Sequence, residues 1–180
     1  LFGHSLGSKV AYELALKIKR ELNQSPEHLF VSAGRAPDLK EPRPIYNLSD
    51  SEFIRELHRF ESTSKEVLDN KELMNIFLPM LRADFKIDET YDKRSVEKVD
   101  CPIHGFMGSN DNEMSLDELK RWSLYTNYKF EYNEIDGGHM FINTNKKDVI
   151  HYLTQIIHSK SDRRDQFESE KIVMHNLGIR

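Results

Sequence analysis

The pentapeptide GHSLG at residues 3–7 constrains this sequence more than any other feature. Two apolar residues precede it, and a run with helical spacing follows it. A G-x-S-x-G sequence in that context predicts a nucleophile elbow, a sharp turn that lifts a serine between a strand and a helix. Because the strand and helix backbones approach each other at such a turn, Gly3 and Gly7 are expected where a side chain would clash. Ser5 is therefore a candidate nucleophile.

Strand and helix patterns alternate after the elbow. Runs typical of strands lie at 28–33, 101–111 and 128–135, and amphipathic helical patterns lie between and after them. A capping box at Ser115–Glu118 is expected to begin the helix between the last two strands. This alternation predicts a parallel sheet covered by helices. The helix after the elbow is expected to bury a face of apolar side chains, namely Val10, Ala11, Leu14, Ala15, Ile18 and Leu22.

A helical block interrupts the alternation between residue 49 and about residue 90. A capping box at Ser49–Glu52 begins it, and a second apolar helix at 70–81 is expected to be interrupted at Pro79. An insertion over the carboxyl ends of parallel strands lies where ligands bind in such sheets. The block is therefore interpreted as a lid, and a helical subdomain that only packs is the alternative.

Serine, aspartate and histidine occur in the chain order typical of α/β hydrolases. Asp111 lies in the turn after one predicted strand, and His139 lies in the glycine turn after the next. A serine needs a base to take its proton, and the base needs a carboxylate to orient it. We therefore predict Ser5 as nucleophile, His139 as base and Asp111 as orienting acid. The backbone N–H of Leu6 would donate a hydrogen bond to the oxyanion.

Other histidines and aspartates compete for these roles. His4 adjoins the serine, so its side chain is expected to point elsewhere and to be structural. His104 lies inside a strand and is expected to be a hydrogen-bonded core histidine. Asp136 is expected to be a turn residue. Asp84 lies in the helical block and is expected to pair with Arg82 or to cap a helix.

Composition argues against several other classes of protein. The net charge is −4 with no long basic stretch, which argues against a nucleic-acid partner. The single cysteine excludes an internal disulfide and an all-cysteine metal site. No histidine pair suggests zinc and no glycine-rich phosphate loop occurs, so neither a metal nor a cofactor is expected. No apolar run approaches the roughly 18 residues that span a membrane.

Four segments together resemble the type II thioesterases, the stand-alone α/β hydrolases that accompany nonribosomal peptide and polyketide synthases. They are LFGHSLGSKVAYELA, FLPMLRADF, GFMGSNDNEMS with the tryptophan after it, and DGGHMF. The same four segments are also similar to the medium-chain thioesterase of animal fatty acid synthase. The resemblance covers nearly all of residues 1–158, and FLPMLRADF is its most discriminating segment.

The resemblance implies an α/β-hydrolase core at residues 1–158 with a lid at about 49–90, followed by a polar tail at 159–180. It implies hydrolysis of acyl or aminoacyl thioesters from the phosphopantetheine arm of carrier proteins, which frees stalled or misprimed synthases. It assigns the same Ser5, His139 and Asp111. The expected partners are acyl or peptidyl carrier domains, the expected location is the cytoplasm, and the complete enzyme is expected to be a monomer.

The sequence departs from the family pattern at three places. Asn110 stands where an acidic residue often precedes Asp111, which leaves Asp111 as the clear candidate. Glu61 and Ser62 stand where many members carry two glycines, so lid shape is expected to differ. Family members also have several strands before the elbow, with a glycine-containing loop that supplies a second oxyanion donor. The chain is accordingly interpreted as the C-terminal part of a longer enzyme, from the elbow onward.

Two alternatives remain at this point. One is another serine hydrolase, such as a carboxylesterase that acts on free small esters. The other is an inactive fragment that retains a carrier-binding surface. A preference for carrier-bound over free thioesters would argue against the carboxylesterase. Carrier binding without turnover would identify the inactive fragment.

Overall fold

The computed structural model describes residues 1–60, 65–93 and 95–158. These residues contain a parallel four-stranded sheet with the strands in chain order, β1-β2-β3-β4. The strands are β1 (Phe2–His4), β2 (Leu29–Ser32), β3 (Ile103–Gly108) and β4 (Phe130–Ile135). Every residue of β2 and β3 is buried, which is typical of central strands in a parallel sheet covered on both faces. The predicted parallel sheet is therefore confirmed.

Helix α1 (Leu6–Leu22) follows the elbow directly, but of the predicted face it buries only Ala11 and Ala15. The buried side chains are Ser8, Lys9, Ala11, Tyr12, Ala15 and Leu16. Val10, Leu14 and Leu22 are 57%, 44% and 63% exposed. This helix carries apolar residues on several sides, so periodicity alone could not select one. The face that contacts the sheet includes Ser8, whose hydroxyl donates to the carbonyls of Gly3 and Ser32.

The helical block forms its own small core. It contains α2 (Asp50–Leu57), a 3₁₀ turn (His58–Phe60), α3 (Lys65–Leu68) and α4 (Lys71–Thr90). The capping box predicted at Ser49 and Glu52 is present at the start of α2. The buried apolar residues of this core are Ile45, Phe53, Leu57, Leu68 and Met74. Glu61 and Ser62, where a departure in lid shape was expected, lie outside the described residues.

Helix α4 continues through Pro79, so the predicted interruption is wrong. A proline removes one helical hydrogen bond and crowds the carbonyl four residues earlier, here that of Asn75. Asn75 and Pro79 are both exposed, so water can solvate that carbonyl. Met74 and Phe85, on either side of Pro79, pack into the core of the helical block and hold the helix on the same path.

The C-terminal half of α4 is bound to its surroundings by polar contacts. Arg82 donates to the carbonyls of Tyr46 and Leu48 and forms an ion pair with Asp50 at 2.6 Å. The expected pairing of Arg82 with Asp84 is therefore wrong. Asp84 is exposed and lines the cleft beside Ser5. These contacts fix the C-terminal half of α4 to residues 46–50 at the start of the helical block.

The remaining elements follow β3 and β4. Helix α5 (Leu116–Lys120) begins with the predicted capping box of Ser115 and Glu118, and a 3₁₀ turn (Arg121–Tyr125) continues it. Helix α6 (Phe141–Thr144) closes a first compact unit, Leu1–Thr144. A second unit begins at Asn145 and is helical over 146–158, where a final amphipathic helix was predicted.

The division into a core at 1–158 and a tail at 159–180 stays a prediction, because the tail lies outside the described residues. No helix among residues 1–60, 65–93 and 95–158 is long and apolar enough to cross a membrane.

Candidate active site

Ser5 occupies a strained turn between β1 and α1. Its backbone has φ 53° and ψ −123°, a conformation that residues other than glycine rarely adopt. Strain of this kind costs about 1–3 kcal/mol and persists only where neighbouring structure enforces it. The Ser5 N–H donates to the Ser32 carbonyl at 2.7 Å, and the Ser5 carbonyl accepts from the Ser8 N–H at 2.9 Å. The turn is thus held from β2 and from the first turn of α1.

The two glycines of the elbow are not equivalent. A Cβ on Gly3 would lie 1.9 Å from the Gly7 carbonyl oxygen, which is far inside van der Waals contact. A Cβ on Gly7 would meet no atom within 4 Å among the described residues. The predicted close approach is therefore confirmed for Gly3 and wrong for Gly7. The asymmetry arises because the Cα of Gly3 faces the Gly7 backbone, whereas the Cα of Gly7 faces open space.

This asymmetry predicts opposite effects of alanine at the two glycines. Gly3→Ala is expected to lower the free energy of unfolding by about 3 kcal/mol or more, because β1 and α1 must move apart. Gly7→Ala is expected to leave it unchanged or to raise it by up to about 1 kcal/mol, since alanine suits a helix better than glycine. Denaturant unfolding of both variants measures the difference. Equal losses in the two variants would contradict the geometry.

The structure brings the predicted serine, histidine and aspartate into one line of hydrogen bonds. His139 Nδ1 lies 3.0 Å from Asp111 Oδ2, and His139 Nε2 lies 3.1 Å from Ser5 Oγ. With the proton on Nδ1, His139 donates to Asp111 and accepts from Ser5. The Asp111 side chain is fully buried and that of His139 is 10% exposed. The arrangement suits transfer of the serine proton to a base whose orientation is fixed by a carboxylate.

Two turns at the ends of β3 and β4 pack together to bring Asp111 and His139 into contact. Gly137 has φ 124°, which favours glycine, and its carbonyl accepts from the Asn110 N–H at 2.9 Å. A Cβ on Gly108 would lie 2.4 Å from the Gly138 carbonyl oxygen. The sequence showed these glycines near the site, but their contact across two strands could be found only in the structure.

Leu6 is the first residue of α1 and lines the cleft beside Ser5. The first N–H groups of a helix have no partner within the helix, and the helix dipole adds partial positive charge there. The Leu6 N–H is therefore suited to an oxyanion next to Ser5. Its role as a donor stays a prediction.

His4 lies closer to the site than expected. Its Nδ1 lies 2.8 Å from Ser32 Oγ, and its ring lines the cleft with its centroid 5.6 Å from that of His139. The expectation that the His4 side chain points away from the site is therefore wrong. The strained backbone of Ser5 lets the side chains of His4 and Ser5 face the same edge of the sheet. Burial, and secondarily the charge of His139, lower the pKa of His4 to about 4. His4 is thus neutral when His139 gains a proton.

Two further competing residues, His104 and Asp136, have the expected surroundings. His104 is buried in β3, with Nε2 2.8 Å from Asn133 Oδ1, so the prediction of a hydrogen-bonded core histidine is confirmed. Asp136 is exposed in the turn after β4 and accepts from the Ser109 hydroxyl at 3.3 Å. Asp111, rather than Asp136, contacts His139.

A cleft of about 220 Å³ opens beside Ser5. Its apolar lining comes from Leu6, Phe60, Phe85 and Met140, and its acidic lining from Glu41, Asp84, Asp88 and Glu89. Burial, reinforced by the charges of Glu41 and Asp88, raises the pKa of Glu89 despite hydrogen bonds from the N–H groups of Ile45 and Tyr46. Five of these lining residues belong to the helical block, which supports its interpretation as a lid.

Sequence reasoning missed an ion pair between the buried Lys9 and Asp88, a residue that lines the cleft. Lys9 is 7% exposed, and its ammonium group binds the Asp88 side chain at 2.7 Å and the Asp88 carbonyl at 2.8 Å. The pair links α1 to the last turns of α4. A lysine on an amphipathic helix is usually solvated, so no signal in the sequence pointed to this contact.

Within residues 1–60, 65–93 and 95–158, no group of three or more His, Cys, Asp or Glu side chains is placed to hold a metal ion. The expectation that the enzyme needs no metal or cofactor stays a prediction.

Comparison with known proteins points to one family. A family model described as "Thioesterase domain" matches residues 1–159. Gramicidin S biosynthesis protein GrsT of Aneurinibacillus migulanus is 37% identical over 152 residues, which cover 84% of this chain and 59% of that protein. Thioesterase PikA5 of Streptomyces venezuelae is 37% identical over 142 residues, which cover 79% of this chain and 50% of that protein.

A solved structure supports the same conclusion about the fold. The type II thioesterase BorB from the borrelidin biosynthetic cluster superimposes with a TM-score of 0.76 at 33% identity, covering 86% of this chain and 63% of BorB. The predicted α/β-hydrolase fold and the resemblance to type II thioesterases are thereby confirmed. The chain spans 50% to 59% of the length of the two curated relatives named above.

Proposed function

The chain belongs to the thioesterase domain family, and from that premise we propose that it hydrolyses acyl or aminoacyl thioesters on the phosphopantetheine arm of carrier proteins. The observation that carries the proposal is the hydrogen-bonded line from Asp111 through His139 to Ser5, at the wall of a cleft. In this role the enzyme would release stalled or misprimed groups from synthases of nonribosomal peptides, polyketides or fatty acids.

The first half of the proposed reaction transfers the acyl group to Ser5. Ser5 Oγ attacks the thioester carbonyl carbon while His139 Nε2 takes the hydroxyl proton. The carbonyl oxygen becomes an oxyanion that accepts a hydrogen bond from the Leu6 N–H. The carbon–sulfur bond then breaks, and His139 returns the proton to the departing sulfur. The products of this half are an acyl-Ser5 ester and the free thiol of the carrier arm.

The second half releases the acid. A water molecule attacks the acyl-Ser5 carbonyl and gives a proton to His139, which passes it to Ser5 Oγ as the ester bond breaks. Asp111 keeps its charge throughout and stabilises the imidazolium that forms twice in the cycle. The neutral ring of His4, whose pKa burial lowers to about 4, adds no positive charge against that imidazolium.

A thioester suits this site because a thiolate leaves readily once the tetrahedral intermediate has formed. The proposed partners are acyl or peptidyl carrier domains, and the phosphopantetheine belongs to the carrier. The proposed reaction therefore uses no cofactor of the enzyme's own. A cytoplasmic location follows from these partners and stays a prediction, as does a monomeric state.

The test measures how fast the purified protein hydrolyses the same acyl group from three different leaving groups. We expect kcat/KM to be highest for the acyl group on a carrier protein, lower for its N-acetylcysteamine thioester, and lowest for its p-nitrophenyl ester. The carrier makes the difference by adding contacts that the small thiol lacks. Equal or greater turnover of the p-nitrophenyl ester would identify a general carboxylesterase. Carrier binding without turnover of any substrate would identify an inactive protein and contradict the proposal.

A further inference from the structure

The loop that carries Asp111 is held by a residue with no role in the reaction described above. Glu113 donates its backbone N–H to Asp111 Oδ1 at 2.8 Å, which closes a short turn on the carboxylate. Asp111 Oδ2 is thereby left to His139. The two oxygens of the orienting acid thus have separate partners, and the orientation of the turn sets the direction of the bond to His139.

Charged side chains from two other segments hold this turn in place. The Glu113 carboxylate is 7% exposed and lies 3.3 Å from Arg59 Nε and 3.4 Å from Arg43 Nη2. The contact with Arg59 is an ion pair without hydrogen-bond alignment. The Glu113 carbonyl accepts from Arg35, and the Asn112 carbonyl accepts from Arg43 at 3.3 Å. Because a buried carboxylate without partners is costly, the two arginines determine where Glu113 lies.

One end of this network belongs to the lid. Arg59 lies in the 3₁₀ turn after α2 and also binds Glu56 at 3.2 Å. The next residue, Phe60, lines the cleft and packs its ring against His139 with the centroids 6.0 Å apart. Neighbouring lid residues therefore contact the proposed base directly and the proposed acid through Glu113.

We propose that Glu113 is a positioning residue that ties the lid at Arg59 to the orienting acid Asp111. The placement of the lid turn then sets the alignment of Asp111 with His139, in addition to shaping the cleft through Phe60. This inference rests on the proposed function, because it assigns Glu113 a part in the alignment of the proposed triad. In the described part of the chain the Glu113 carboxylate binds Arg59 and Arg43 rather than Ser5 or His139, so its effect passes through Asp111.

The first test is Glu113→Gln, which keeps the side-chain volume and removes the charge. We expect kcat to fall about tenfold with KM changed less than about twofold, because a small misplacement of a catalytic group costs rate rather than binding. Glu56→Gln is the matched control, since Glu56 shares Arg59 but does not contact the Asp111 turn. It is expected to retain kcat within about twofold. Equal effects of the two variants, or a lower Tm for Glu113→Gln at unchanged kcat, would overturn the proposal.

A second test asks whether Glu113 acts through Asp111. In an Asp111→Asn background, Glu113→Gln is expected to lower kcat by less than about twofold further, because the carboxylate that it aligns has gone. A full tenfold loss in that background would show that Glu113 acts elsewhere. The ratios between variants can be measured on any ester or thioester that the wild-type protein hydrolyses. A failure of the carrier-thioesterase proposal would therefore leave this test readable.

Discussion

Ser5→Ala is expected to lower kcat for a carrier-bound thioester about 10⁶-fold, as loss of the nucleophile does in serine proteases. Without the hydroxyl no acyl-enzyme can form, and water must attack the thioester directly. The protein is expected to stay folded, since alanine removes only the hydroxyl and the hydrogen bonds that hold the turn involve the Ser5 backbone. The measurement is single-turnover hydrolysis together with the Tm of both proteins.

A covalent probe separates this prediction from a general loss of structure. A fluorophosphonate reacts with an activated serine, so the wild-type protein and Gly7→Ala are expected to be labelled while Ser5→Ala is not. Near-normal turnover by Ser5→Ala, or labelling of that variant at another residue, would show that Ser5 is not the nucleophile.

The parts of the fold that the sequence predicted correctly depend on local chemistry. The capping boxes at Ser49 and Ser115 each involve residues three positions apart, and both occur as predicted. The strands β2 and β3 are buried on both faces and read as apolar runs. The elbow was found from five consecutive residues, although its strained turn is also held by the hydrogen bond from the Ser5 N–H to the Ser32 carbonyl. Signals of this range need no knowledge of the tertiary structure.

The parts that could not be predicted depend on contacts between distant residues. Lys9 and Asp88 are 79 positions apart, and only the packing of α4 on α1 turns a lysine into a buried ion partner. The continuation of α4 through Pro79 depends on apolar contacts on both sides of the proline. The prediction of the buried face of α1 was right only for Ala11 and Ala15, because the sheet, rather than periodicity, selects the side that also contains Ser8 and Tyr12.

The same distinction between local signals and distant contacts applies to the candidate site. Ser5, Asp111 and His139 were identified by their order and by their positions after strands, which parallel-sheet topology brings to one edge. The surroundings of these residues were not identified. The position of His4 beside His139 and the network from Arg59 to Glu113 involve side chains whose directions follow from the turns that carry them. Sequence spacing therefore predicts which residues act, while the structure shows which contacts hold them in place.

The choice of Asp111 over Asp136 as orienting acid leads to the second large effect. Asp111→Asn is expected to lower kcat about 10⁴-fold, the loss that follows when the amide favours the wrong histidine tautomer and no anion stabilises the imidazolium. The buried Asp111 carboxylate contacts His139 Nδ1 at 3.0 Å, whereas Asp136 is exposed and binds Ser109.

Asp136→Asn is the matched control for Asp111→Asn, because it makes the same chemical change one strand away. It is expected to retain kcat within about twofold, since a surface charge contributes little to a buried hydrogen bond. Steady-state kinetics with a carrier-bound thioester measure both variants, and the Tm of each shows whether the fold survives. A greater loss in Asp136→Asn than in Asp111→Asn would mean that a different carboxylate orients His139 during turnover. The line of hydrogen bonds from Asp111 to Ser5 would then describe a resting arrangement rather than the reacting one.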